Sequence, residues 1–266
     1  DGIPGEATGQ GEGQRDRTGS GSDAVALLKL LPDRRQPECD WLEALPIQLQ
    51  QREVAEEFRV TPFVENSIGM VLAVVPGSEN GVDPFLIGTT EVTVREFGQF
   101  FDEMKYELRS WERYGRVAGN RWVPSTEFDF RSLGDLPVSQ QFPACSICWV
   151  DAMAFCDWLS ERENARYRLP TVAEWQAANA AGNSARWFFG DDDARLSEFA
   201  WYVRNAGKEF HDVASKKPNA LGIFDTLGNE YEWCLGNADV TNEREFRPQI
   251  GGGFGDPADE IARRVR

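Results

Sequence analysis

The sequence contains one histidine, His211, and three methionines in 266 residues. A lone imidazole cannot build a multi-histidine metal centre, and beside Asp212 it reads as a loop contact rather than a catalyst. Cysteine is also scarce. The five present, Cys39, Cys145, Cys148, Cys156 and Cys234, are odd in number and widely spaced, which excludes a disulfide-dominated scaffold. No run of about 18 apolar residues exists, so no membrane insertion is expected. No signal-peptide pattern is visible, and a start at Asp1 suggests a processed form or a fragment. Internal repeats and βαβ alternation are lacking too, so nothing points to a parallel sheet.

Positive charge is in deficit: 28 Lys and Arg stand against 44 Asp and Glu, for a formal charge of −16. Such a chain repels nucleic acid and anionic membranes, so neither is an expected partner. Its carboxylates serve solubility, attract basic partners, or hold hard cations. What the chain does have is tryptophan, nine residues in all. Indole buries a large area while needing a partner for one N–H, which suits folds with much irregular backbone.

Residues 1–22 are rich in glycine and polar side chains, and read as a flexible tail. A short apolar helix is expected over 23–31, stopped by Pro32, and a second pattern runs from Asp40 to Phe58 with a break at Pro46. Leu49, Val54 and Phe58 would face a partner surface, making 23–62 a helical amino-terminal segment. Strands are expected at Met70–Val75 and Phe85–Ile87. Thr93 and Glu96 form a capping box for a helix carrying Phe97, Phe100, Phe101 and Met104 on one face. A further helix spans about 151–162, with Ala152, Phe155, Cys156 and Leu159 on its stripe. Another capping box, Thr171 with Glu174, starts a helix that turns Trp175 inward. Residues 109–135 and 182–250 read as irregular. The class is α+β.

Four blocks in order carry a family resemblance. They are Glu91-Val92-Thr93 before the Phe-rich helix; Leu136-Pro137-Val138 with Trp149-Val150-Asp151-Ala152 and Phe155 to Leu159; Tyr167 to Trp175 (YRLPTVAEW); and Pro218 to Gly222 with Gly228 to Trp233 (GNEYEW). Together they resemble the sulfatase-modifying-factor family, whose best-known member is the formylglycine-generating enzyme, over roughly residues 68–255. The resemblance implies a variant of the C-type-lectin fold over 63–266, loop-rich with a small antiparallel sheet. Most of the motif residues read as scaffold: Arg168 should bury its guanidinium against Glu174 or Glu232, and Gly228 should take a backbone angle other residues avoid, with Trp233 packed beneath it.

The family's chemistry is another matter. Its enzymes use two cysteines shortly after a Gly-Gly segment, and aerobic members hold copper there. Here the segment is Gly251 to Phe254, and the family spacing lands on Asp256 and Ile261, neither of which is a thiolate. Copper is therefore not expected. Phe254 and Asp256 mark the expected ligand cleft. Cys145 and Cys148 are the remaining pair with redox spacing, and read first as a surface disulfide or two free thiols. The resemblance also implies a calcium ion at Leu227, Gly228, Glu230 and Glu232, with Glu232 as the side-chain ligand. The family's closing strand is missing after Arg263, so the chain reads as truncated or as closed by another chain, and the family's habit suggests export. The preferred reading is a non-catalytic binding or assembly module for a protein or glycan partner. The alternatives are a formylglycine-generating-type oxidoreductase acting on a protein cysteine, and a structural subunit docked through its amino-terminal helices.

Overall fold

The computed structural model describes residues 49–78, 81–109, 114–118, 121–235 and 247–266. The expected tail, the helix over 23–31, Cys39 and Trp111 lie outside the described residues. Within them, six α-helices alternate with three small antiparallel sheets, the α+β arrangement expected.

The first helix, α1 (Leu49–Glu57), packs on a three-stranded sheet made of β1 (Phe63–Glu65), β2 (Val71–Val75) and β3 (Phe85–Gly88). Strand β2 lies in the middle, with Ala73 opposite both Phe63 and Ile87. Four of its five residues are buried, as expected for a strand covered on both faces. Ala55 of α1 meets Val74, with Val54 and Phe58 packed alongside. The chain thus covers these two side chains itself, and only Leu49 of the predicted partner face stands exposed.

Helix α2 (Val94–Met104) starts at the predicted capping box: the Thr93 hydroxyl accepts from the Glu96 amide while the Glu96 carboxylate accepts from the Thr93 amide. Phe97 and Phe100 are fully buried and meet Phe130, Phe155 and Trp158. Met104, placed on the same face from spacing, is 53% exposed. Lys105 turns the chain left-handed directly after it, so the last turn overshoots the core. Residues read as irregular contain a hairpin of β4 (Tyr114–Val117) and β5 (Arg121–Pro124).

Helix α3 (Trp149–Glu163) packs against α2 through Phe155, Trp158 and Leu159. Its start is fixed by Asp151, whose fully buried carboxylate accepts from the amides of Cys148 and Arg109 and from the Tyr106 hydroxyl. Helix α4 (Val172–Ala180) opens with the second predicted capping box and buries Trp175. The acidic turn at 190–193 leads into a 3-10 turn and the short α5 (Leu196–Phe199). There Asp193 accepts from the Trp187 indole at 2.7 Å, so one of its carboxylates is scaffold. Asn219 is buried within the Pro218–Gly222 block, donating to the carbonyls of Ala178 and Asn179 and accepting from the amides of Leu221 and Ile223. Strands β6 (Glu232–Trp233) and β7 (Gln249–Ile250) pair next to the glycine run, and α6 (Ala258–Arg264) follows. No helix among the described residues is long and apolar enough to cross a membrane.

Candidate functional site

Two loops build the site, 224–231 ahead of β6 and 251–256 behind β7. They are laced by main-chain bonds: the Gly228 amide donates to Gly251, and the Phe254 amide to Asn229. Gly228 adopts φ +83, and a β-carbon there would run into the Trp201 carbonyl oxygen. Only glycine tolerates both demands. The group closing over Gly228 is thus the Trp201 backbone, while the Trp233 indole reaches the Ile147 carbonyl. Asn229 is fully buried, donating to Glu91 and to the His211 carbonyl and accepting from the His211 amide. His211 itself stacks on Trp201 with ring centroids 3.7 Å apart, its Nε2 hydrogen-bonded to the Ala206 carbonyl, a loop contact.

Beside these loops lies a cavity of about 840 Å³. The predicted cleft residues Phe254 and Asp256 line it, together with Cys145, Cys148 and Glu230. Asp256 accepts from the Tyr231 hydroxyl at 2.6 Å and from the Gly253 amide at 3.1 Å. Ile261 has no exposure and packs in the core with Trp175, Trp187 and Leu227. The two positions nevertheless meet: a β-carbon on Gly252 would lie 3.0 Å from Ile261 Cγ1 and 3.2 Å from Asp256 Oδ2. A carboxylate and an aliphatic chain therefore sit where the resemblance calls for a pair of thiols.

Cys145 and Cys148 are free thiols, the first buried and the second half-buried. Burial pushes both up, and for Cys145 the nearby Glu230 charge adds to it. Cys156 also faces the cavity, with its thiol pushed up to about 12 by burial. Protonated thiols are poor nucleophiles and poor soft-metal ligands. Among the described residues no histidine or lysine lines the cavity beside these thiols.

The residues expected to hold calcium fall into two groups. Glu232 faces Asp225 and Glu91, two carboxylates the sequence reading did not assign to it. Burial raises Glu91 well above the usual carboxylate range, and the charges of Asp225 and Glu232 raise it further. Asp225 is pushed up to about 6 and Glu232 to about 7, each mainly by burial. Glu230 turns instead toward Asp256; burial and that neighbour push it up to about 7. Its carboxylate accepts from the Tyr231 amide at 2.8 Å. The Thr226 hydroxyl between Asp225 and Leu227 is buried without a hydrogen-bond partner. Among the described residues no three His, Cys, Asp or Glu side chains converge as a ready metal site. A cation here would need main-chain carbonyls as well as the carboxylates, which is how hard cations are commonly held. Buried like charges and an orphan hydroxyl fit such a cation. Glu91 stood in the first motif block, so its position was visible in sequence; its partners were not.

The family described as "Sulfatase-modifying factor enzyme 1-like domain" matches residues 49–265. The formylglycine-generating enzyme of Thermomonospora curvata is 26% identical over 192 residues, covering 58% of this chain and 60% of that protein. The inactive C-alpha-formylglycine-generating enzyme 2 of Bos taurus is 26% identical over 220 residues, covering 70% of this chain and 71% of that protein. The chain spans less than two thirds of the length of the first of these and of other curated relatives. Among solved structures, PvdO from Pseudomonas aeruginosa superimposes with a TM-score of 0.56 at 20% identity, over 73% of this chain and 87% of that one. That likeness concerns the fold, while the motif blocks and the matched span concern descent. The chain belongs to the sulfatase-modifying factor enzyme 1-like family.

Proposed function

We propose that this chain is a non-catalytic binding or assembly module, using the retained cavity and its surrounding loops to engage a protein or glycan partner. One observation carries the reading. Where the family's redox cysteines are expected, Asp256 is fastened to Tyr231 and Gly253, and Ile261 is sealed in the core. A carboxylate and an alkyl chain can neither relay electrons nor offer soft ligands to Cu(I). That a relative is named as inactive supports the reading.

Leu227, Gly228 and Glu230 would offer carbonyls, and Glu232, with Asp225 and Glu91 close by, carboxylate, to a calcium ion. Bound there, calcium would supply charge neutralisation and hold the two loops together.

The competing reading is a formylglycine-generating-type oxidoreductase, favoured by the presence of Cys145 and Cys148 on the cavity wall. Cu(I) titration, with oxidation of a cysteine-containing sulfatase-motif peptide, decides between them. The binding reading expects no stoichiometric copper and no aldehyde. Stoichiometric Cu(I) together with aldehyde formation would overturn it.

A further inference from the structure

The cavity's wall has a chemical signature that the family's catalytic residues do not account for. Trp122, Phe210 and Phe254 form an aromatic triad, with centroids 5.2 Å apart for Trp122–Phe210, 5.5 Å for Trp122–Phe254 and 4.7 Å for Phe210–Phe254. All three rings line the cavity. Two residues beyond Phe254 comes Asp256, which lines the cavity with Glu230, both carboxylates accepting from Tyr231. Cys145 joins these groups: it packs in one cluster with Phe210 and Phe254, and it feels the Glu230 charge.

The polar contacts of these two carboxylates are neutral. Glu230 accepts from the Tyr231 amide, and Asp256 from the Tyr231 hydroxyl and the Gly253 amide. Among the described residues, Arg166 and Arg168 line the cavity and neither is free of partners. Arg168 is paired with both oxygens of Glu174. Arg264 stands 4.9 Å from the Tyr231 ring but bonds Glu260 at 2.9 Å. Among the described residues no cationic side chain is hydrogen-bonded to Glu230 or Asp256, and the Trp122, Phe210 and Phe254 rings line the same cavity. Carboxylates together with aromatic rings select ammonium groups, through charge-assisted hydrogen bonds and cation–π attraction.

We propose that this cavity binds a small organic cation, a primary or quaternary ammonium on an aromatic or apolar body, with Glu230 and Asp256 facing the charge and the Trp122–Phe210–Phe254 triad facing the body. A cavity of about 840 Å³ has the size of a small-molecule site. The inference rests on reading the cavity as a binding site rather than a catalytic one, and gives the cavity a small-molecule ligand of its own beside the partner engaged by the surrounding loops.

The test compares isosteres by isothermal titration calorimetry on the full chain, in calcium-containing buffer at about 0.15 M salt to screen the acidic surface. The probes are tryptamine, tryptophol and indole-3-acetate, which share one ring system and differ in charge, with benzyltrimethylammonium as a quaternary arm. At least one ammonium is expected to bind, tryptamine about tenfold or more tighter than tryptophol, with indole-3-acetate weakest. Glu230→Gln should remove that preference while leaving tryptophol affinity unchanged, and Phe254→Leu should weaken every probe. Asp256→Asn, checked by circular dichroism for an intact fold, serves as the second charge-removing variant. Equal affinity across the charge series, preference for the carboxylate, an ammonium preference that survives both charge-removing variants, or no binding by any probe would each overturn the proposal. Binding at the Phe254 site with equal affinity for the neutral probe, or with preference for the anionic one, would leave the binding-module reading standing while this inference fell. Copper uptake with aldehyde formation is the separate result that defeats the module reading.

Discussion

The guanidinium of Arg168 meets the carboxylate of Glu174 through two hydrogen bonds, Nη1 to Oε2 and Nη2 to Oε1, each 2.7 Å long. The same carboxylate accepts from the Thr171 amide at 2.8 Å, so one side chain closes both a fork pair and a helix cap. Burial alone would raise the Glu174 carboxyl, but Arg168 and the Thr171 bonds outweigh it and hold it below the usual range. Glu174→Ala would leave the largely buried guanidinium without this partner and uncap α4, at a cost of about 2–4 kcal/mol. Arg168→Lys keeps the charge but loses the fork, and should cost about 1–2 kcal/mol. Urea unfolding curves check both, together with a sign in pH. A depressed folded-state value contributes stability above the unfolded carboxyl range, lost as pH falls through the folded value. Acidification should therefore narrow the gap between wild type and Glu174→Gln; a constant gap would argue that the pair contributes packing alone.

The carboxylates around the 224–232 loop behave in the opposite sense. Asp225 is pushed up to about 6, and Glu230 and Glu232 to about 7, chiefly by burial. A raised value contributes stability that is fully present below the unfolded carboxyl range and is lost as pH rises through the folded value. With calcium chelated, thermal stability should fall between about pH 4.5 and pH 7 and level off above it. Added calcium should restore much of the loss at pH 7.5 and little at pH 5, where the carboxyls are protonated. Scanning calorimetry across that range with chelator or calcium measures the difference. No calcium dependence at pH 7.5 would remove the cation site from the account of this loop.

How much of this was legible in the sequence depended on the range of the interactions. The capping boxes at Thr93 and Thr171 were readable because they close within four residues. The Arg168–Glu174 pair spans six and sits inside a motif block, so it too was within reach. Glu91 and Asn229 are 138 positions apart, and nothing in one sequence announces such a contact. The hairpin at 114–124 was missed because its strands are short and its pattern weak, with Tyr114 exposed at its start. The triad likewise joins residues from three distant segments. Trp122 was noted only as one of several aromatics, and its role depends on where Phe210 and Phe254 are brought.

Thiol chemistry offers a sharper separation. Cys145, Cys156 and Cys234 are buried, and burial raises all three above the ordinary thiol value. Cys148 is half-buried and its rise has the same first cause. In a Cys39→Ser background, a maleimide or aromatic disulfide reagent at pH 7.5 should label Cys148 slowly and first. The other three should react only at the rate of unfolding. Peptide mapping after timed quenching reads the order. Rapid labelling of Cys145 in folded protein would reveal an activated thiol and strengthen the oxidoreductase reading.

Gly228 tests the loop crossing on which the site depends. Its φ of +83 and the adjacent Trp201 carbonyl leave no room for a β-carbon. Gly228→Ala should cost about 2–4 kcal/mol, more than the strain of a left-handed alanine alone. Gly182, at φ +80 with open space around it, supplies the control: Gly182→Ala should cost only about 1 kcal/mol. Equal losses in chemical denaturation would mean that backbone strain, rather than the close approach of Trp201, governs the position.

Thiols placed at positions 256 and 261 would test their correspondence to the family's cysteines. Asp256 Oδ2 and Ile261 Cγ1 both lie close to the point a β-carbon on Gly252 would occupy, at 3.2 and 3.0 Å. That proximity survives although neither side chain can hold a soft metal. The double variant Asp256→Cys with Ile261→Cys would put two thiols there, a ligand set that suits Cu(I). The cost falls mostly on Ile261, where loss of core volume beside Trp175 and Leu227 should take about 1–3 kcal/mol. Asp256→Cys also releases the Tyr231 hydroxyl, which can turn to solvent in the cavity. Competition against a chromogenic Cu(I) chelator should show one copper per chain in the double variant, about 100-fold or more tighter than in either single variant. Aldehyde formation on a cysteine peptide is not required, since substrate positioning by the surrounding loops is a separate demand. If the double variant holds copper no better than the single ones, positions 256 and 261 do not correspond to the family's cysteines. Asp256 and Ile261 would then say nothing against copper chemistry in this chain.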